Sequence, residues 1–183
     1  MEASILRAIH AHLSPVLDRL FVLSHDLGTF WFCAPLVLAM ALWHRSRGER
    51  HDGRIWIVVG LSTWAIQELV KRLVARPRPE LWPRLLGAGS FSFPSGHALA
   101  SATLYPLLAW DLTRTRPRAV RGAALGAAVA LSLFIGFGRL YLGVHWPSDV
   151  AAGWALGGIQ AVTAIRHLGR TGRKARSPPG PEP

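Results

Sequence analysis

Five stretches of this chain are apolar and almost free of charge: residues 27–43, 55–70, 98–110, 119–137 and 150–165. Crossing about 30 Å of hydrocarbon takes roughly 20 helical residues, with about 17 as the short limit. Several of these runs are therefore marginal alone. As membrane helices they need tight mutual packing, with their polar ends buried in protein. The second carries Gln67 and Glu68 near its far end, and the third reaches a useful length only if it begins inside the preceding FPSGH. The fourth and fifth contain Gly122-xxx-Gly126 and Gly153-xxx-Gly157, a spacing that lets helices approach closely in lipid.

The first 26 residues follow a different pattern. Ile5, Leu6, Ile9, Leu13, Val16, Leu17, Leu20, Phe21 and Leu23 recur at helical spacing, with Arg7, His10, His12, Asp18, Arg19 and His25 mostly between them. Such a segment is amphipathic. It predicts helix lying along a membrane surface or against the bundle, broken in two by Pro15. A charge-bearing first span is the alternative. The predicted architecture is an all-α integral membrane bundle of about five transmembrane helices, divided as 1–26 amphipathic segment, 27–168 membrane domain and 169–183 tail. The terminal SPPGPEP has the composition of a disordered tail.

Composition sharpens this picture. The chain has 183 residues, half of them hydrophobic, which fits one domain. Its 21 Lys and Arg outweigh 10 Asp and Glu. That excess could serve nucleic acid, but the apolar runs direct it to a membrane, and no nucleic-acid partner is expected. Arg45, Arg47, Arg50 and Arg54 lie in one connection, and Arg114, Arg116, Arg118 and Arg121 in another. Arg166, Arg170, Arg173, Lys174 and Arg176 lie in the tail. With five spans these share one face, which the positive-inside rule makes cytoplasmic. Segments 71–94 and 138–146 then share the outer face. They are also basic, against the rule, and that suggests a ligand. Cys33 is the sole cysteine, so neither an internal disulfide nor a cysteine metal cage is expected. An early Glu2 without a basic cluster predicts no cleaved secretory leader.

Three places carry chemistry. KRLVARPRP, residues 71–79, stacks Lys71, Arg72, Arg76 and Arg78 where the second run ends. Arg72 and Arg76 read as a basic collar at the interface, whereas Lys71 and Arg78 read as anion-binding groups. FPSGH, residues 93–97, opens the third run: Ser95 is a strong N-cap type, and Gly96 permits close backbone approach. The helix start supplies amides and a dipole suited to an anion, with His97 beside it. RLYLGVHWPSD, residues 139–149, holds Arg139, His145 and Asp149. Pro147 suits a first helical residue, so Asp149 in the first turn can reach back to His145 and select its protonated nitrogen. Arg139 offers a planar fork of donors for phosphate. The two histidines and Asp149 could ligate a metal, but three fixed cations, Lys71, Arg78 and Arg139, would repel a divalent ion and attract a phosphate. No metal or other cofactor is expected.

Together these three places resemble the type 2 phosphatidic acid phosphatase superfamily. Its pattern is Lys, six residues and Arg-Pro; then Pro-Ser-Gly-His; then Ser-Arg, five residues, His, three residues and Asp. Lys71 with Arg78-Pro79, Pro94 to His97, and Arg139, His145 and Asp149 match it in order, while Gly138 stands where the family usually has Ser. The resemblance implies a helical, metal-independent phosphatase. In it Lys71, Arg78, Ser95, Gly96 and Arg139 hold the phosphoryl group, His145 attacks phosphorus, Asp149 orients His145, and His97 donates a proton to the leaving oxygen. The implied substrate is a lipid phosphate or diphosphate at the outer face of the cell membrane, with a polyprenyl diphosphate such as undecaprenyl diphosphate favoured. Phosphatidylglycerophosphate and phosphatidate are the alternatives. A lipid phosphotransferase and a silent lipid-binding scaffold are the rival readings. Trp82, Phe91, Phe93 and Trp146 are candidates to line the substrate's way in.

Overall fold

The computed structural model describes residues 1–12, 14–83 and 91–174, the last six as helix backbone only. Within them the chain is all helical: α1 (Glu2–His10), α2 (Pro15–Asp26), α3 (Phe30–Ser46), α4 (Arg50–Val74), α5 (Gly96–Thr113), α6 (Arg118–Tyr141) and α7 (Pro147–Lys174). Each of the five apolar runs became the body of one helix, α3 to α7. α5 does begin within FPSGH, at Gly96. α7 continues six residues past the expected end at 168, because no proline interrupts it before Pro178. Residues 175–183, the larger part of the tail expected over 169–183, lie outside the described residues.

α5 is the central helix. It is apolar on all sides, and Leu99, Leu104 and Leu107 are buried along it, as expected for a helix surrounded by others. It packs against α7, α6 and α4, while α3 packs against α4. The α5–α7 seam is close because α7 carries glycines there. A Cβ on Gly153 would come within 2.7 Å of the Ser95 carbonyl, and one on Gly157 within 2.5 Å of the Leu99 carbonyl. The other small-residue pair has no such use: a Cβ on Gly122 or Gly126 would meet nothing within 4 Å. Cys33 sits in the core with Val37, Trp56, Leu104 and Leu168.

The outward faces are apolar too. Trp31 is 84% exposed, and Leu38, Leu61, Trp64, Leu69 and Ile159 are also exposed. A belt of this kind is the solvation expected in lipid. Among the described residues, α6 is the one helix long and apolar enough by itself to cross a membrane, and α2 with α3 passes jointly across a 46° bend. The others fall short for visible reasons: α3 has 17 residues, and α4 and α7 carry charges near both ends.

Ser14 caps α2, accepting from the Leu17 amide at 3.3 Å, and Pro15 is its first residue. Both N-terminal helices pack on the bundle rather than beside it. Tyr141 at the end of α6 donates to Asp18 at 2.7 Å and accepts from the Ser14 amide at 3.1 Å. The opposite end of the bundle is tied by a buried polar network. His44 bridges Asp111 and Glu49 at 2.6 Å each, Trp56 donates to Asp111 at 2.8 Å, and Arg114 donates to Asp52 at 2.6 Å. Arg114, counted above as a topological charge, is thus also an internal clamp.

Candidate active site

Four helix ends converge at the other end of the bundle: the last turns of α4 and α6 and the first turns of α5 and α7. Lys71 lies buried in the last turn of α4. That helix ends at Ala75 in the left-handed conformation, φ 48°, ahead of Arg76, which the following proline bars from helical geometry. Ser92 fastens the exit, its amide donating to the Arg76 carbonyl at 2.8 Å and its hydroxyl to the Pro77 carbonyl at 3.0 Å. Ser95 is fully buried and caps α5 through the Ala98 amide at 3.5 Å. Its own amide donates to the Asp149 carbonyl at 3.0 Å, which locks the second motif to the third. The space that Gly96 leaves open is used inside the protein: a Cβ there would sit 2.0 Å from the Gln67 side-chain oxygen.

The start of α7 carries one half of a capping box, the bond from the third helical residue back to the N-cap amide. Trp146 is the N-cap, Pro147 the first helical residue, and Asp149, two positions on, accepts from the Trp146 amide at 2.8 Å. The same Oδ2 lies 3.5 Å from His145 Nδ1, long for a hydrogen bond. On the far side of the ring, Arg78 Nη1 faces His145 Nε2 at 3.1 Å and donates to the Val144 carbonyl at 2.8 Å. A guanidinium only donates. Nε2 therefore carries the lone pair and Nδ1 the proton, pointing at Asp149. Burial pushes the His145 imidazole down to about 4, so the ring is neutral at ordinary pH. The buried ring thus turns an unprotonated nitrogen toward the Arg78 guanidinium.

Arg76 corrects the sequence reading. It is not a collar: its guanidinium donates to Asp149 Oδ1 at 2.7 Å, to the Ser148 hydroxyl at 2.6 Å and to Glu2 at 2.5 Å. Glu2 in turn accepts from the Ser148 amide at 2.9 Å. Arg76 and the start of α1 therefore hold the carboxylate that faces His145. Spacing alone could not separate Arg76 from its exposed neighbour Arg72, because α4 has already ended between them. Arg76→Leu is expected to lower kcat about ten- to a hundredfold, the range found when a group orienting a functional histidine is lost, while Arg72→Leu leaves it within a factor of two. Steady-state rates of the two purified variants check this.

Arg139 is almost fully buried at the end of α6. Its Nη1 donates to His25 Nδ1 at 2.6 Å, while Nε and Nη2 are enclosed without a partner among the described residues. The His25 ring stacks on His97, centroids 4.6 Å apart. His97 Nε2 is likewise enclosed without a partner among the described residues. Sequence reading had placed His25 only among the polar positions of the first segment. A Cβ on Gly138 would come within 2.9 Å of the Phe21 ring and 3.2 Å of the Ser24 hydroxyl, so α2 fills the space that a serine there would need.

One cavity of about 810 Å³ joins these groups. Lys71, Arg78, His97, Arg139 and His145 line one part of it. From there it runs between α3 and α4 to Val37, Leu38, Ile57, Leu61 and Trp64. Two of the four aromatics singled out for its mouth do other work, and none of the four lines it. Trp82 stacks on His10 at 3.9 Å, Trp146 donates to the Pro77 carbonyl at 3.0 Å, and the aromatic lining comes from Phe30, Trp31 and Trp64. Five of the eight singled-out residues, and the backbone of Gly96, thus border one hollow, with Ser95 and Asp149 directly behind it.

Known proteins resemble this chain in sequence and in fold. The chain is 30% identical over 145 residues to phosphatidylglycerophosphatase B of Bacillus subtilis, covering 78% of this chain and 71% of that protein. It is 28% identical over 161 residues to undecaprenyl-diphosphatase of Sulfolobus acidocaldarius, covering 85% and 73%. The crystal structure of the transmembrane PAP2-type phosphatidylglycerolphosphate phosphatase from Bacillus subtilis superposes with a TM-score of 0.84 at 26% identity, over 93% of this chain and 85% of that one. The family description "PAP2 superfamily" matches residues 52–173, a span that holds all three motifs, and this chain is a membrane-embedded member of the PAP2 superfamily.

Proposed function

We propose that this phosphatase hydrolyses a lipid phosphate or diphosphate through a phosphohistidine on His145. One observation carries the reading: a single cavity has cations and imidazoles at one end and aliphatic walls at the other, the shape of an amphiphile whose headgroup reacts. Lys71, Arg78 and the Nε–Nη2 edge of Arg139 hold the phosphoryl oxygens and stabilise charge developing on them, with the Ser95–Gly96 turn behind them. The substrate displaces Arg78 from His145 Nε2, the lone pair attacks phosphorus, and the P–O bond to the lipid breaks. Asp149 stabilises the imidazolium that forms at His145. His97 protonates the departing oxygen, then takes a proton from the water that releases phosphate. The basic connections on the His44 side support a cytoplasmic placement for that end, and hence an outward-facing site on a multi-pass protein.

Polyprenyl diphosphate, such as undecaprenyl diphosphate, is the leading substrate, supported by the likeness to undecaprenyl-diphosphatase. Phosphatidylglycerophosphate is the second reading, favoured by the 0.84 superposition on the Bacillus enzyme. Phosphate release from both lipids and from phosphatidate, at matched mole fraction in detergent, decides between them. The highest kcat/KM is expected on the polyprenyl diphosphate, and no release from any lipid phosphate would defeat the phosphatase reading. Product chromatography with an added acceptor lipid tests transfer, and free phosphate alone is expected. Full activity in excess chelator is the expected outcome for a site whose charge is supplied by Lys71, Arg78 and Arg139. Loss of activity restored by a divalent ion would overturn the metal-free scheme.

The pH dependence has a definite sign. His145 is depressed to about 4, so the neutral nucleophile is available above about pH 4 and lost below it. kcat/KM should therefore fall as pH drops through about 4, and a profile that stays level through that range would contradict the assignment of His145 as nucleophile.

A further inference from the structure

We infer that His25, at the end of α2, is a positioning residue of the phosphoryl site: it turns the Arg139 guanidinium so that the Nε–Nη2 edge faces the substrate. The inference rests on the phosphatase reading above and extends it to a helix that lies outside all three motifs. Among the described residues the guanidinium has one nitrogen engaged and one enclosed edge with no acceptor. Nη1 donates to His25 Nδ1 at 2.6 Å, whereas Nε and Nη2 are buried with no partner among those residues. Two parallel N–H groups on one edge are the bidentate geometry that matches a phosphate. A guanidinium rotates about its last bonds, and without an acceptor on Nη1 nothing in the described contacts would choose that edge over the other.

The neighbourhood of His25 is built for the purpose. Because Arg139 only donates, His25 must be the tautomer with its proton on Nε2. Its ring stacks on His97 at 24° between planes and 4.6 Å between centroids. Gly28, three residues on, also lies against His97: a Cβ there would come within 2.6 Å of Cδ2. α2 is itself anchored to α6 through Tyr141 and Asp18 and through the contact of Gly138 with Phe21. The end of α2 thus grips the phosphate-binding arginine and the general acid together. A segment that amphipathicity alone leaves either on the membrane surface or against the bundle becomes part of the site.

Two variants separate the acceptor from the ring. His25→Phe keeps a ring on His97 and removes the acceptor; His25→Asn removes the ring and keeps an oxygen where Nδ1 stood. Orthovanadate binding to the purified full chain, with KM and kcat on a lipid phosphate, is measured for both. H25F is expected to weaken vanadate binding and raise KM by about tenfold or more, the scale of a lost charge-assisted hydrogen bond, with a smaller change in kcat. H25N is expected to recover binding to within about threefold of the wild type. Wild-type vanadate affinity in H25F, or equal losses in H25F and H25N, overturns the inference while leaving the phosphatase reading intact. A wild-type protein that binds no vanadate overturns both.

Discussion

His145→Ala is expected to abolish lipid phosphate hydrolysis, lowering kcat by about four orders of magnitude or more, and to remove any acid-labile phosphoenzyme. The size follows from the role. Covalent catalysis splits one hard displacement into two easier ones, and removing the attacking atom removes both steps. The geometry makes the assignment specific. Of the three imidazoles at this end of the cavity, His145 has its Nε2 facing the Arg78 cation at 3.1 Å and its Nδ1 turned to a carboxylate. His25 engages Arg139 through Nδ1, and His97 is flanked by cations with no carboxylate partner in the described contacts. Rapid-quench detection of phosphoprotein, with steady-state turnover, checks the prediction. Normal turnover in the variant, or a phosphoenzyme that survives it, would transfer the nucleophile to another residue.

Asp149→Asn should cost nearly as much, about a thousand- to ten-thousandfold in kcat, the scale seen when an acid that orients a catalytic histidine is made an amide. The carboxylate accepts from the Trp146 amide at 2.8 Å and from Arg76 at 2.7 Å, and faces His145 Nδ1 at 3.5 Å. An amide has a single acceptor oxygen for these donors. With that oxygen toward Trp146 and His145, its NH2 opposes Arg76 and the ion pair is lost. With the amide turned round, NH2 faces Nδ1, the ring moves its proton to Nε2, and the attacking lone pair disappears. Both arrangements also leave the imidazolium of the intermediate without a counter-charge. KM should change little, because the phosphate-holding cations are untouched. A variant with wild-type kcat would show that His145 needs no orienting acid.

Much of this was legible before any coordinates. The five apolar runs located α3 to α7, because a lipid-facing helix must be apolar over its whole length. Pro147 and Asp149 announced the start of α7, since a helix leaves its first amides unpaired and only some residues remedy that. Lys71, Arg78, His97, Arg139 and His145 were recognisable because charge at the end of an apolar run is costly unless it has a task. What stayed hidden depended on contacts between distant segments. Arg76 looked like Arg72 until α4 ended at Ala75. His25 looked like an ordinary polar position of an amphipathic helix. Gly96 suggested ligand approach, but the space beside it belongs to Gln67. The network of His44, Glu49, Asp52, Asp111 and Arg114 gave no local sign, because its members come from three helices and the turns between them.

The amino-acid sequence by itself determined the helical bundle, the membrane as its solvent and the identity of the reactive groups, since periodicity, burial and chemical type are properties of single segments. The tertiary structure alone decided which nitrogen of His145 faces Arg78, which Arg139 nitrogen bonds His25, and that both N-terminal helices pack beside these groups. Those are questions of relative orientation, and they are answered by groups that lie as many as 146 positions apart in the chain, as the Glu2 carboxylate and the Ser148 amide do.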